Sequence, residues 1–266
     1  MVGIRCERKI PSTKIIGINK KIKLKSRGTD DLFHGFVRMM KKDDIPQVFK
    51  LTKKQWEGHE KVNKDMFERR IENFREGGVV LEMLEGQFKG RIVGCINSFL
   101  IEFNVVEDLP SNFDILTDGG TLNTHNPDGN TLVCPQISAD PEAGLKGIPR
   151  ALISMEADIA KILLEGRYPD YHILAYSRFS HYGSTIEKLK AKGGIDMQMD
   201  GQRYVEVNRG LLASGKRLID TNCAMHYTFA RDIAGAKPDS NPIAIFENGC
   251  PGDIAAGGYN VVFQYR

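Results

Sequence analysis

The residues best placed to do chemistry lie in a short turn, Gly144, Leu145, Lys146 and Gly147, between an apolar run and an amphipathic segment. Glycines at a helix start leave backbone amides free, and these donors together with the helix dipole favour an anion such as a phosphate. Lys146 and Arg150 add positive charge beside them. Pro149 costs little in a first helical turn, where its missing N–H has no partner to lose. A second candidate pair is Cys223 and His226, three residues apart and so on one helical face. A thiol and an imidazole can act as nucleophile and base, but nothing nearby activates the thiol, and two ligands alone make a poor zinc site. The chain has no GxxxxGK[ST] loop, no GxGxxG after a strand, no GxSxG elbow and no HExxH, which argues against several other enzyme classes together.

The turn needs a strand before it and a helix after it, and the sequence supplies both. Thr131 to Ala139 reads as a strand, with apolar Leu132, Val133, Cys134 and Ile137. Ile148, Leu152, Met155, Ile159 and Leu163 recur at spacings of three and four, the stripe of a helix laid on a sheet. Upstream, Phe36 to Met40 reads as a strand, Asp43 or Asp44 caps a helix over Ile45 to Trp56, and Lys64 to Arg75 is a second helix. Val79 to Glu85 and Arg91 to Phe103 read as antiparallel strands joined through Gly86 to Gly90. Asn104 to Asn130 is long and rich in turn residues, as binding lids and disordered segments are, and either is compatible with a substrate mouth. Downstream come a strand over Tyr171 to Arg178, a short helix over Ser184 to Lys192, and a segment without clear period, Asp196 to Lys216, expected to be an irregular insertion. A closing strand, Tyr259 to Tyr265, is expected at a sheet edge, open to a partner.

With 266 residues the chain can bury roughly three quarters of its unfolded surface. No apolar run approaches the roughly 18 residues of a spanning helix, and the basic N-terminus lacks the apolar stretch of a signal peptide, so a cytoplasmic protein without membrane association is expected. Five widely spaced cysteines, with no CxxC pair, imply free thiols and no metal. The net charge of +3 hides an asymmetry: residues 1–28 hold nine basic side chains against Glu7, or +8, leaving −5 for the rest. This basic segment is expected to be a solvated arm over 1–31 ahead of a single domain over 32–266, although Ile15, Ile16, Ile18, Ile22 and Leu24 also fit a strand. No nucleic-acid partner is expected.

The turn resembles the coenzyme A signature of the GCN5-related N-acetyltransferase (GNAT) superfamily, in which a strand is followed by Gln or Arg, two residues, Gly, one residue, and Gly or Ala. Gly147 matches; Gly144 replaces the polar residue and Pro149 the second small one. Ile137, Ser138, Ala139, Asp140 and Pro141 resemble the family's strand end, and Arg150, Ala151 and Leu152 its helix start. Later segments look like the two-lobed GNAT-like loading domains of polyketide synthases. These are the early helix with Trp56, the Ser177–Arg178 pair, and the stretch from His226 through Gly235, Ala236, Asp253 and Gly258 to Tyr265. The spacing between His226 and Gly235 departs from that pattern. The resemblance covers about Phe36 to Tyr265.

It implies an α/β (α+β) fold with a mixed, mostly antiparallel central sheet and helices on both faces, and acetyl-CoA or another acyl-CoA as cosubstrate. Ile137, Ser138, Ala139, Gly144, Leu145, Lys146, Gly147, Ile148, Pro149, Arg150 and Ala151 would hold the cofactor. The thioester arm would lie where the signature strand and the next one part, near Ser177, Arg178 and Tyr182, with Trp56 and Arg178 on the substrate. Transfer to an amine needs a base, for which Glu102 and His226 are candidates, and an acid for the departing thiolate, for which Tyr182 is one. The alternative is loading-type decarboxylation of malonyl-CoA with delivery to an acyl carrier protein, in which His226 and Ser177 would donate hydrogen bonds to the enolate. A second alternative is a non-catalytic acyl-CoA-binding module. A monomer and a homodimer both fit.

Overall fold

The computed structural model describes residues 18–55, 62–180, 182–191, 200–234, 241–253 and 256–266. Among these residues the β-branched and aromatic runs pair into one nine-stranded sheet, ordered β6-β1-β2-β3-β4-β5-β7-β9-β8. The strands are β1 (Lys20–Ser26), β2 (Leu32–Met39), β3 (Gly78–Met83), β4 (Ile92–Ile101), β5 (Thr131–Ala139), β6 (Leu145–Lys146), β7 (His172–Ser177), β8 (Ala244–Phe246) and β9 (Asn260–Gln264). All pairings are antiparallel except β5 with β7. That parallel pair requires a crossover, supplied by the helix that follows the glycine turn. The mixed, mostly antiparallel sheet expected from the resemblance is the observed one.

Between the strands lie α1 (Ile45–Gln55), α2 (Lys64–Asn73), a short α3 (Phe113–Thr117), α4 (Ile148–Leu164), α5 (Tyr182–Ala191), α6 (Gly201–Ala213) and α7 (Thr221–Ala234). Adjacent residues of a strand point to opposite faces, and β4 shows how this divides the helices. The Cys95 thiol meets Thr52 of α1, whereas a Cβ on Gly94 would lie 2.4 Å from Ile148 of α4. The two helices therefore pack on opposite faces, and Gly94 is the residue that lets α4 come down onto the backbone. The face under α1 and α2 buries Met40, Val48, Phe67, Val80 and Cys95. The larger cluster runs through α4 and α7, with Leu152, Met155, Ile159, Tyr227 and Phe263.

Three sequence expectations change. Part of the basic segment expected as a solvated arm is β1, in which Ile22 and Leu24 alternate with lysines and which hydrogen-bonds to both β2 and β6. The segment expected to be irregular contains α6, capped by Asp200, whose side chain accepts from Arg203 N–H at 2.8 Å. The closing strand is not an edge: β9 lies between β7 and β8, and the short β8 takes the edge.

Candidate active site

β5 and β7 are paired only from Thr131 and His172 to Cys134 and Ala175. Beyond that point β5 runs on to Ala139 against β4, and β7 stays with β9, so the two strands part. The parting begins at Pro135, which has no N–H to donate to a ladder. Opposite it the β4–β5 register shifts between Asn97 and Phe99. A cavity of about 160 Å³ opens in the gap, lined by Gln136 and Ile137 of β5, Ser177 and Arg178 at the end of β7, Asn222 and Met225 of α7, and Asp253 and Asn260.

The lining is rich in hydrogen-bond donors. Arg178 Nη1 donates to Asp253 Oδ2 at 2.7 Å, with the Asp253 side chain only 3% exposed. Asn222 Nδ2 donates to the Arg178 carbonyl at 2.9 Å, which fixes the end of β7 against α7. Behind the opposite wall the buried Arg70 of α2 donates from Nη1 to Gln136 Oε1 at 2.5 Å and from Nε to the Gly120 carbonyl at 2.6 Å. Asn260 is buried, and its Nδ2 has no hydrogen-bond partner among the described residues. The long segment expected as a mouth does border the cavity: Phe113 lines it, and Pro110 accepts from the Tyr176 hydroxyl at 3.1 Å.

The glycine turn adjoins the far end of β5. After the turn Pro141–Ala143, Gly144 takes φ 61°, and Gly147, at the N-cap of α4, takes φ 90°. The left-handed region costs a residue with a Cβ about 1–2 kcal/mol, which explains glycine at Gly147. No side chain caps this helix. Pro149 has no N–H, so the amides of Ile148 and Arg150 are the donors of its first turn. The basic β1 serves this turn. Lys25 stands opposite Lys146 in the β1–β6 register, and the Arg27 N–H donates to the Gly144 carbonyl at 2.7 Å. Arg150 pairs with Asp232 of α7 at 2.8 Å. This uncapped end with cations beside it can receive an anion, and the gap between β5 and β7 is open to an extended ligand.

The sequence-derived candidates fall into separate places. Ile137, Ser177 and Arg178 line the cavity. Ser138 is buried beside it, and the Ala139 carbonyl accepts from the Gln55 side chain. Tyr182 sits in an aromatic cluster, its ring 5.1 Å from Tyr259 and 5.3 Å from Tyr204, and burial raises its phenol above the usual range. Glu102 is exposed just past Ile101, which pairs with Thr131, whereas the cavity lies by Gln136, opposite Asn97. At about 3.4 Å per residue this puts Glu102 roughly 17 Å along β4 from that position.

His226 is buried on α7, behind the lining rather than in it. Its Nδ1 is 2.5 Å from the Tyr265 hydroxyl, its ring stacks on Phe263 with centroids 4.4 Å apart, and burial lowers its pKa to about 3. Cys223 is buried too, and its thiol pKa is raised by desolvation and then by Asp220. The pair is therefore no activated nucleophile. Trp56, Gly235 and Ala236 lie outside the described residues. Gln136, Asn222 and Asn260 belong to no motif in the sequence. For Asn260 a signal existed, a carboxamide at the head of the apolar run Val261, Val262, Phe263.

The architecture matches known structures along nearly their whole length. The loading GNATL domain of CurA from Lyngbya majuscula superposes with a TM-score of 0.60 at 17% identity, over 87% of this chain and 96% of that one. The GphF GNAT-like decarboxylase, solved with isobutyryl-CoA, gives 0.58 at 17% identity over 86% and 99%. This is the GNAT fold. In sequence, the chain is 30% identical over 192 residues to the probable hydrolase YhcX of Bacillus subtilis (strain 168), covering 70% of this chain and 34% of that protein. It is 25% identical over 161 residues to the uncharacterized N-acetyltransferase YkwB of the same organism, covering 58% and 63%. The chain thus spans about a third of one relative and under two thirds of the other. No family model matches the sequence. Among the described residues, no helix is long and apolar enough to cross a membrane, and no group of His, Cys, Asp and Glu could hold a metal ion.

Proposed function

We propose that the chain is an acyl-CoA-dependent acyltransferase that takes acetyl-CoA or another short acyl-CoA and passes the acyl group to an amine. The observation that carries this reading is the parting of β5 and β7 after Cys134 and Ala175, with a donor-lined cavity in the gap. The uncapped start of α4 lies beyond the end of β5. The amides of Ile148 and Arg150, with Lys25, Lys146 and Arg150, would hold the pyrophosphate. Ile137 and the backbone of Ser138 and Ala139 would guide the arm, and Ser177 and Arg178 would face the acyl group. The likeness to YkwB, itself named an N-acetyltransferase, supports an amine acceptor.

One feature of the cavity favours a second reading. Among the described residues of its lining Asp253 is the one carboxylate, it is bound to Arg178, and none is a histidine. Donors without a free base suit stabilisation of a thioester enolate better than deprotonation of an ammonium. Loading-type decarboxylation of malonyl-CoA, with transfer to a carrier protein, is that chemistry. In either reading His226 acts from the core, holding Tyr265 and β9, not on the substrate.

The test is incubation of purified protein with acetyl-CoA or malonyl-CoA, alone, with a panel of amines, and with a phosphopantetheinylated carrier protein, read by mass spectrometry. Amine-dependent release of CoA is expected from the first reading, and acetyl-CoA or acetyl-carrier from malonyl-CoA from the second. Release of CoA with water as the only acceptor would mark a hydrolase, the class in the name of YhcX. A thermal shift with neither thioester would sink all of these.

A further inference from the structure

Arg70 is 3% exposed and forms no ion pair among the described residues. Its partners are the Gly120 carbonyl, the Gln136 side chain and Met66 Sδ at 3.4 Å, with the guanidinium 5.2 Å from the Phe67 ring. Burial of an uncompensated charge is unfavourable enough to lower its pKa to about 10. A guanidinium has donors only, so the Gln136 atom that faces it at 2.5 Å is the carboxamide oxygen. The NH2 of Gln136 is thereby turned away from Arg70, on a residue that lines the cavity, and it has no partner among the described residues. From the other side of the gap Asn260, 5% exposed, brings a second carboxamide whose Nδ2 is also unpartnered. A buried donor left without an acceptor costs about 1–3 kcal/mol. Asn260 Nδ2 is such a donor, and the Gln136 carboxamide lines the same cavity, so an acceptor that arrives with the ligand can meet both.

We propose that Gln136 and Asn260 donate hydrogen bonds to the thioester oxygen of the bound acyl group, and that Arg70 is the positioning residue that sets the orientation of Gln136. This rests on the acyl-CoA reading. Arg70 acts in two ways: its fork fixes which end of the carboxamide faces the cavity, and its charge polarises that amide toward a carbonyl that gains negative charge.

The experiment is isotope-edited infrared spectroscopy of [1-13C]acetyl-CoA bound to the protein, which needs no acceptor. In wild type the thioester C=O stretch is expected to move to lower wavenumber on binding. Gln136→Glu removes the donor and gives Arg70 a carboxylate, so it is expected to fold with an equal or higher melting temperature, bind acetyl-CoA, and lose most of the shift. Asn260→Leu should lose part of it. Arg70→Lys keeps a charge without the fork and should fall between. If Arg70→Lys does not fold, the Gln136 and Asn260 variants decide. A full shift in Gln136→Glu, or no shift in wild type with acetyl-CoA bound, overturns the assignment. Failure of wild type to bind acetyl-CoA at all is a distinct result, which overturns the acyl-CoA reading and this inference with it.

Discussion

On one side of the gap after Cys134, Gln136, Ser177, Asn222 and Asn260 face an open cavity. Next to it, in the core under α4 and α7, Ser98, Glu156, His226 and Tyr265 are shut away from solvent. The second group holds the residues most often enlisted for proton transfer, yet burial keeps His226 and Glu156 neutral near pH 7. His226 falls to about 3, and Glu156, whose Oε2 accepts from Ser98 at 2.7 Å, rises to about 8. The cavity holds amides, a hydroxyl and an ion pair. In this GNAT fold, therefore, residue type alone does not mark the candidate site. Access does, and under the proposed function the accessible set would stabilise charge rather than move protons.

The largest expected effect breaks the buried side. Glu156 has a folded pKa raised from 4.5 to about 8, so its contribution is fully present below 4.5 and is lost as pH rises through 8. Glu156→Gln should therefore match wild type near pH 4 and exceed it at pH 8–9, by at most roughly 4–5 kcal/mol at 1.36 kcal/mol per pH unit. Urea midpoints from pH 4 to 9 measure this. A difference that does not vary with pH would mean Glu156 is not desolvated.

His226 gives the opposite sign. Its folded pKa lies below 6.5, so its contribution is present above 6.5 and is lost as pH falls toward 3. The paired change His226→Phe with Tyr265→Phe removes both hydrogen-bond partners together. It should stay within about 1 kcal/mol of wild type at pH 7 and lose part of the acid sensitivity. It should also bind acetyl-CoA as wild type does. A well-folded double variant that no longer binds or turns over the thioester would put His226 back on the substrate and collapse the contrast.

On the cavity side, Arg178→Ala leaves the buried Asp253 without its cation and should cost about 1–3 kcal/mol, less than a fully buried pair because the Arg178 side chain is 35% exposed. Acyl-CoA turnover should fall at least about tenfold if one charge-assisted hydrogen bond worth ~1.4 kcal/mol is lost from the reacting state. Steady-state kinetics beside a denaturation curve separates the two losses. Arg150→Ala should do least: its exposed pair with Asp232 is worth below about 1 kcal/mol, with a few-fold loss of CoA affinity by calorimetry.

Much of the fold could be read from residues alone, because β5 and α4 are long, strongly patterned and punctuated by Asn130, Pro141 and Gly147. β1 was half legible: Ile22 and Leu24 alternate as a strand requires, but five lysines and arginines around them read equally as a solvated arm. α6 was hidden by Gly201 and Gly210 and by a weak apolar stripe. In the site, Ser177 and Arg178 came through the resemblance. Gln136 did not, since a carboxamide in a strand looks like any ladder residue until Arg70, 66 positions earlier, is seen to orient it. His226 was visible, but its burial depends on Phe263 and Tyr265, which only the sheet brings to it.

The central claim is that an acyl-CoA lies with its thioester between β5 and β7 and its pyrophosphate on the first turn of α4. Hydrogen exchange with and without saturating acetyl-CoA tests it directly. Protection should rise at the amides of Ile148 and Arg150, along Gln136 to Ala139, and at Ser177 and Arg178, and stay unchanged at Glu102. Binding with protection elsewhere, or no change at these amides, would contradict it.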